Sequence, residues 1–260
     1  MKVLFTDLDG TLLDEKYDWR KARREIEELK KKEIPLILCS AKTRAEQRKL
    51  REEMELNYPY IVEDGSAIVI PKDNELSKIA ESYGAKKDRD ELLIKLGVDY
   101  KEILRFLREL EKKYPIKYYG NMSVEEVSKV TGLNFKSAKL AKKREFSETL
   151  VKWSDALEEI EKKFKARLGG KFVHVYGKNA DKGVAVKILT EMYSKLYGKR
   201  PITIGIGNHY TDLPMLKAVD IPVIVRNPEG WINVELKGLL KTRGIATDGW
   251  IEAVKKLKLI

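Results

Sequence analysis

Apolar residues fall in short blocks separated by amphipathic stretches. Lys2 to Thr6 is a brief apolar strand that stops at Asp7. From Asp18 to Glu33 apolar positions return every three or four residues, with Ala22, Ile26 and Leu29 on one face. That spacing predicts an amphipathic helix with Asp18 as its N-cap. Ile34 to Cys39 is almost unbroken apolar sequence, as in a parallel strand buried on both faces. A helix is predicted from Thr43 to Met54, then strands at Tyr60 to Val62 and Ala67 to Ile70 around the turn Glu63-Asp64-Gly65.

The middle of the chain changes character. Glu91 to Leu96, Ile116 to Tyr119, Thr149 to Trp153 and Phe172 to Tyr176 read as strands. Helices over Tyr100 to Lys113, Val124 to Val130 and Ser154 to Phe164 lie between them. This mixture predicts an α+β module covering one face of a small sheet. After it the first pattern resumes. A helix runs from Lys182 to Leu196 with Gly198 as its stop, and strands follow at Ile202 to Ile206 and Ile221 to Val225. The expectation is an α/β parallel-sheet core built from residues 1–78 and 179–260, split by an inserted α+β domain over 79–178.

Composition narrows the class. The 260 residues are 43% apolar, enough for a globular core, and no apolar run is long enough to span a bilayer. Asp7 interrupts the position where a signal peptide needs apolar residues, and one cysteine permits no internal disulfide. Both features suit a cytoplasmic protein. The net charge is +11, with 36% charged residues. Nucleic-acid binding, an anionic small substrate, or a Lys/Glu-rich thermophile surface would each give such a balance. The basic residues are interleaved with acids, as in RKARREIEELKKKE, which argues against a nucleic-acid partner.

Chemistry concentrates in FTDLDGTLL, residues 5–13. Asp7 and Asp9 lie at the carboxyl end of the first predicted strand, the edge where open α/β sheets bind ligands. Gly10 lets the chain turn there. Two such carboxylates can share a divalent cation, one attacking phosphorus while the other handles protons. Ser40 follows the second strand. Lys182 opens the helix after the insertion, in NADKG, and GIGNHYTDLPML (205–216) leads from a strand into a helix.

In this order, DxDGT, Ser40, Lys182 and the 205–216 segment resemble the four motifs of the haloacid dehalogenase (HAD) superfamily of phosphotransferases. The resemblance implies a HAD-like Rossmannoid core with Asp7, Asp9 and Lys182 catalytic, and Ser40, Lys182 and Gly10 at the phosphate. It also implies Mg²⁺ held by Asp7, Asp9, Asn208 and Asp212. Asn208 stands where the superfamily usually has aspartate, so one charge of the metal site is missing. Asp212 would ligate through water or hold Lys182.

CSAKTRAE (39–46), VEDGSAIVIP (62–71), KKREFSETL (142–150) and GGKFVHVYGKNADKG (169–183) are similar to the mannosyl-3-phosphoglycerate phosphatase family. This resemblance implies a mobile specificity cap and a small anionic sugar-glycerate phosphate as substrate, in mannosylglycerate (compatible-solute) biosynthesis. Lys42, Thr43, Arg44, Arg144, Glu145, Ser147, Glu148, Gly169, Gly170 and His174 are then the substrate-binding candidates. His174 either faces the substrate or is a structural histidine. Cys39 reads as a core residue, and His209 lacks a second histidine to form a metal site. Trp231 and Trp250 read as core or docking contacts of the C-terminal tail. Two rivals remain open: a HAD phosphatase of another sugar phosphate, and a catalytically impaired binding protein suggested by Asn208.

Overall fold

In the computed structural model, which describes all 260 residues, the first apolar strand becomes an interior strand of the main sheet. In chain order the strands are β1 Lys2–Thr6, β2 Leu36–Leu38, β3 Tyr60–Val62, β4 Ala67–Pro71, β5 Lys86–Asp88, β6 Glu91–Lys95 and β7 Lys117–Tyr118. They continue as β8 Ser147–Lys152, β9 Lys165–Gly169, β10 Phe172–Tyr176, β11 Ile202–Gly207, β12 Ile221–Arg226 and β13 Leu240–Ile245. The core sheet is parallel with order β13-β12-β11-β1-β2. Its unbroken apolar strands are explained by cover on both faces. Val3 and Phe5 pack with Leu189 and Met192 of the helix Lys182–Tyr197. Leu4 packs on the other face with Ile26 and Trp250.

The chain runs from β1 outward to β2 on one side and later returns on the other side through β11. The carboxyl ends of β1 and β11 therefore flank a point where the strand order reverses, the place where such sheets open a crevice. Asp7 and Asn208 are the residues immediately after those two strands.

A second, antiparallel sheet has order β3-β4-β6-β5, and a third has order β7-β8-β10-β9. The third is the cap. Its apolar face packs on the helices Tyr100–Leu110 and Leu157–Lys163 through Ile103, Leu107, Ile160, Val173 and Val175. The alternation of FVHVY is realised: Val173 and Val175 enter the cap core, while Phe172 and His174 face the opposite side. Two short helices, Val124–Thr131 and Phe135–Ala141, complete the cap.

Several boundaries differ from the sequence pattern. The pattern starts the insertion at residue 79, yet β5 and β6 pair with β4 and put Ile94 into the core's apolar cluster. Strand pairing across the sheet binds residues 86–95 to the core. The crossing to the cap lies at Gly97 and Gly177, where a Cβ on Gly177 would meet the Val98 nitrogen at 3.0 Å. Asp18 is not an N-cap: its Oδ1 accepts the Arg20 amide at 2.9 Å, but Trp19 precedes the 3-10 turn Arg20–Ala22, and the α-helix begins only at Arg23. The helix Phe135–Ala141 and the C-terminal pair β13 and Ala246–Lys256 carry apolar patterns too weak to predict them. Trp250 of that last helix is fully buried and donates from Nε1 to Thr6 Oγ1 at 3.0 Å, whereas Trp231 is 41% exposed. No helix is long and apolar enough to cross a membrane.

Candidate active site

Asp7 leaves β1 with its amide donated to Ile206 O at 2.8 Å, which places its buried carboxylate between the ends of β1 and β11. Lys182, at the first turn of its helix and only 2% exposed, donates to Asp7 Oδ1 at 2.7 Å and to Asp212 Oδ1 at 2.6 Å. Asp212 Oδ2 accepts the amides of Asn208 and His209 at 2.9 and 3.0 Å. One buried cation thus serves two buried carboxylates. Burial and the nearby Asp212 charge push the Asp7 carboxyl up to about 7 against the pull of Lys182. Burial alone would discharge Lys182, but Asp212 and Asp7 hold it well above the ordinary lysine range.

Asp7 Oδ2 accepts no hydrogen bond from the protein, and Asp7 lines a cavity of about 360 Å³ between core and cap. Ser40 and Lys42 line the same cavity. Ser40 is held by its backbone: its amide donates to Ile61 O and its carbonyl accepts from the Asp64 amide. The Ser40 hydroxyl donates to no protein group, so its proton is available to a ligand. Lys42 sits 3.0 Å from Asp9 Oδ1 and 4.9 Å above the Tyr17 ring.

The donor set suits a hard divalent cation. Besides the unpartnered oxygen of Asp7, Asn208 Oδ1 accepts only the Thr11 hydroxyl, at 3.1 Å. Its amide is oriented by a reciprocal pair with Asn227: Asn208 Nδ2 donates to Asn227 Oδ1 at 2.7 Å, and Asn227 Nδ2 donates back to Asn208 O at 2.8 Å. A cation among these oxygens would relieve the charge that raises Asp7. Gly10, at φ +73°, is required here because a Cβ would meet Asn208 Nδ2 at 2.4 Å. Asp212 is not a free ligand, since both its oxygens are engaged, and Asp9 is turned to Lys42. No three acidic, histidine or cysteine side chains converge, so the seat carries less charge than a carboxylate trio.

From the cap, Arg144, Gly169, Gly170 and His174 line the cavity, as the sequence leads one to expect, joined by Thr149 and Lys171. Arg144 is buried. Its Nη2 donates to Ala41 O at 2.7 Å, its Nε donates to Ser147 Oγ at 3.0 Å, and its Nη1 makes no protein hydrogen bond. His174 Nδ1 lies 2.7 Å from Asp64 Oδ2. Burial would raise Asp64, but His174 and the more distant Lys182 hold it below the usual carboxylate range.

Other expected substrate contacts do not reach the cavity. Arg44 and Glu145 grip each other at 2.7 and 2.9 Å on the outer side of the core–cap junction. Ser147 is fully buried and donates to Glu63 Oε2 at 2.6 Å. Glu148 is fully buried and accepts from the Tyr100 hydroxyl and the Gly120 and Thr149 amides. Thr43 caps the helix Arg44–Glu53 in a capping box with Glu46. Apart from Thr43, whose partner Glu46 is three residues on, each of these polar side chains is consumed by a partner far away in the linear sequence or by backbone amides. Glu63 and Asp64 stand behind the cavity without lining it, and Asn227 and Tyr17 belong to the site, although the sequence pattern singles out none of the four. Two acids before a glycine at a strand end are the available signal for the first two. His209 does reach the cavity, with Nδ1 buried and unpartnered. Cys39 is a buried core residue.

Comparison with known proteins places the chain in a family. A family model described as haloacid dehalogenase-like hydrolase matches residues 4–230. A Persephonella marina protein named glucosyl-3-phosphoglycerate/mannosyl-3-phosphoglycerate phosphatase is 38% identical over 265 positions, covering 98% of this chain and 96% of that protein. A Pyrococcus furiosus mannosyl-3-phosphoglycerate phosphatase is 40% identical over 228 positions, covering 86% of this chain and 91% of its own length. Among solved structures, a Thermoplasma acidophilum protein superposes with a TM-score of 0.73 at 19% identity, covering 100% and 99% of the two chains. At that identity the likeness concerns the fold alone.

Proposed function

The chain belongs to the haloacid dehalogenase-like hydrolases as a phosphatase related to the mannosyl-3-phosphoglycerate enzymes, and we propose that it dephosphorylates a glycosyl-3-phosphoglycerate to the glycosylglycerate. The observation that carries this reading is the polarity of the cavity. One pole holds Asp7, Asp9, Ser40 and Lys182, and the other holds the cap cations Arg144 and Lys171. A glycerate with its phosphate at one end and its carboxylate and glycosyl substituent at the other matches that division.

Asp7 attacks phosphorus through Oδ2, which is free of protein partners, while Lys182 holds Oδ1. The P–O bond to glycerate breaks and an aspartyl-phosphate remains on Asp7. Asp9 gives its proton to the departing glycerate oxygen and later takes one from the water that cleaves the aspartyl-phosphate. The Ser40 hydroxyl and Lys182 offset charge on the phosphoryl oxygens. Asp212 holds Lys182 in place. Asp7 and Asn208, with Asp9 nearby, would hold Mg²⁺, which when bound neutralises phosphoryl charge. In the cap, Arg144 Nη1 and Lys171 receive the carboxylate, and Gly169, Gly170 and His174 border the sugar.

The test is phosphate release from mannosyl- and glucosyl-3-phosphoglycerate under a Mg²⁺ titration, with simple sugar phosphates and 3-phosphoglycerate alongside. Selective turnover of a glycosyl substrate is expected. Equal rates on all the phosphates would defeat the substrate assignment.

A further inference from the structure

The turn Glu63-Asp64-Gly65 between β3 and β4 holds three consecutive residues in the left-handed region, at φ +50°, +58° and +87°. Two of them are not glycine, a strained arrangement that persists only where the surroundings enforce it. The surroundings are the working parts of the enzyme. On the core side, the Glu63 amide donates to Lys42 O at 3.1 Å and the Asp64 amide to Ser40 O at 3.2 Å, so the turn is stitched to the phosphate-binding loop. A Cβ on Gly65 would lie 2.1 Å from the Asp181 carbonyl carbon, so the turn abuts the start of the helix that carries Lys182.

On the cap side, the fully buried Glu63 carboxylate accepts the amides of Glu145 and Phe146 at 2.8 and 3.0 Å, and the Ser147 hydroxyl at 2.6 Å. Asp64 engages His174 of the cap at 2.7 Å. The carbonyl of the next residue, Ser66, accepts the amides of Leu96 and Gly97 at 2.9 and 2.8 Å, where the chain crosses into the cap. One four-residue segment thus touches the phosphate loop, the lysine helix, two cap strands and the crossing point.

We infer that this turn couples the cap to the phosphoryl site, with Glu63 and Asp64 as positioning residues that set Ser40 and Lys182 only when the cap is seated. The inference rests on the proposed substrate reading in one respect: a substrate that fills the cap stabilises the seated state, whereas a small phosphate does not. Specificity is then expressed through geometry at phosphorus as well as through contacts to the sugar.

The experiment compares wild type with Glu63→Gln and Asp64→Asn. Amide exchange of Glu145 and Phe146 is followed in the ligand-free protein, and kcat/KM is measured for the glycosyl-3-phosphoglycerates and for p-nitrophenyl phosphate. In Glu63→Gln, exchange at the two amides is expected to speed up about tenfold. Its kcat/KM on the glycosyl substrate should fall about a hundredfold, with the aryl phosphate within about threefold. Equal loss on both substrates, or unchanged exchange with unchanged kinetics, would overturn the coupling. If Glu63→Gln melts early, Asp64→Asn must give the same substrate split, and its absence there is equally fatal. A wild type indifferent to glycosyl substrates would defeat the substrate assignment alone, because the amide exchange still decides whether Glu63 clasps the cap.

Discussion

Replacing Asp7, the proposed nucleophile, should abolish turnover and strengthen the fold. In wild type without divalent cations, Asp7 and Asp212 are both buried and share one counter-charge, Lys182. The consequence is a carboxyl pushed up from 3.8 to about 7. Each tenfold change in proton affinity is worth about 1.4 kcal/mol, so keeping Asp7 ionised in the folded state at pH 8 costs roughly 4 kcal/mol. Asp7→Asn removes that charge while leaving an oxygen to accept from Lys182. A net gain of about 2–4 kcal/mol is expected, or on the order of 5–10 °C in Tm for a chain of this size. The sign follows from linkage. Below about pH 4 the carboxyl is protonated in both folded and unfolded chains, and the two proteins should be alike. As the pH rises toward about 7 the unfolded wild type releases a proton that the folded state retains, so wild type loses stability relative to the variant; above that the gap is constant. Urea melts of both proteins in chelator from pH 4 to 8, with phosphatase assays beside them, measure this. Equal stability at pH 8, or an offset independent of pH, would refute the electrostatic account, and turnover above about one part in 10⁴ would refute the nucleophile.

Three further outcomes follow from the same site. Lys182→Met leaves Asp7 and Asp212 buried without a counter-charge, and should cost about 3–5 kcal/mol in a urea melt along with turnover; a variant as stable as wild type would contradict the buried network. Asn208→Asp adds a carboxylate beside Asp7, so it should melt lower than wild type in chelator and gain more from millimolar Mg²⁺; a Mg²⁺-induced Tm shift no larger than wild type's would remove Asn208 from the metal seat. Gly65→Ala drives a Cβ into the Asp181 backbone at a residue with φ +87°, and should cost about 2 kcal/mol or more by denaturant unfolding; a neutral effect would mean the turn has room that the coupling inference does not allow.

Much of the core side of the candidate site is legible in the linear sequence. Asp7, Ser40, Lys182 and Asn208 each stand directly after an apolar strand or at the first turn of a helix, and such positions are set by local patterning and turn chemistry. The cap's polar residues are harder to read. Glu145, Ser147 and Glu148 look like hydrogen-bonding groups for a sugar, yet their partners are Arg44, Glu63 and Tyr100, which lie 101, 84 and 48 residues away in the chain. A polar side chain in a sequence does not reveal whether another part of the protein or a ligand will satisfy it. The insertion boundary is hidden for a related reason. β6 reads as a strand in isolation, and only its pairing with β4 assigns it to the core.

Local patterning is enough to read the alternation of strand and helix, the parallel core, the strand-end carboxylates and the lysine that answers them. These depend on periodicity and on interactions within a few residues, which the linear order displays. Only the folded packing makes Lys182 shared between Asp7 and Asp212, sets Asn227 to orient Asn208, and brings Glu63 and Asp64 to the cap. Those are choices among competing partners for buried charge and unsatisfied hydrogen bonds, and packing alone determines which groups come within reach.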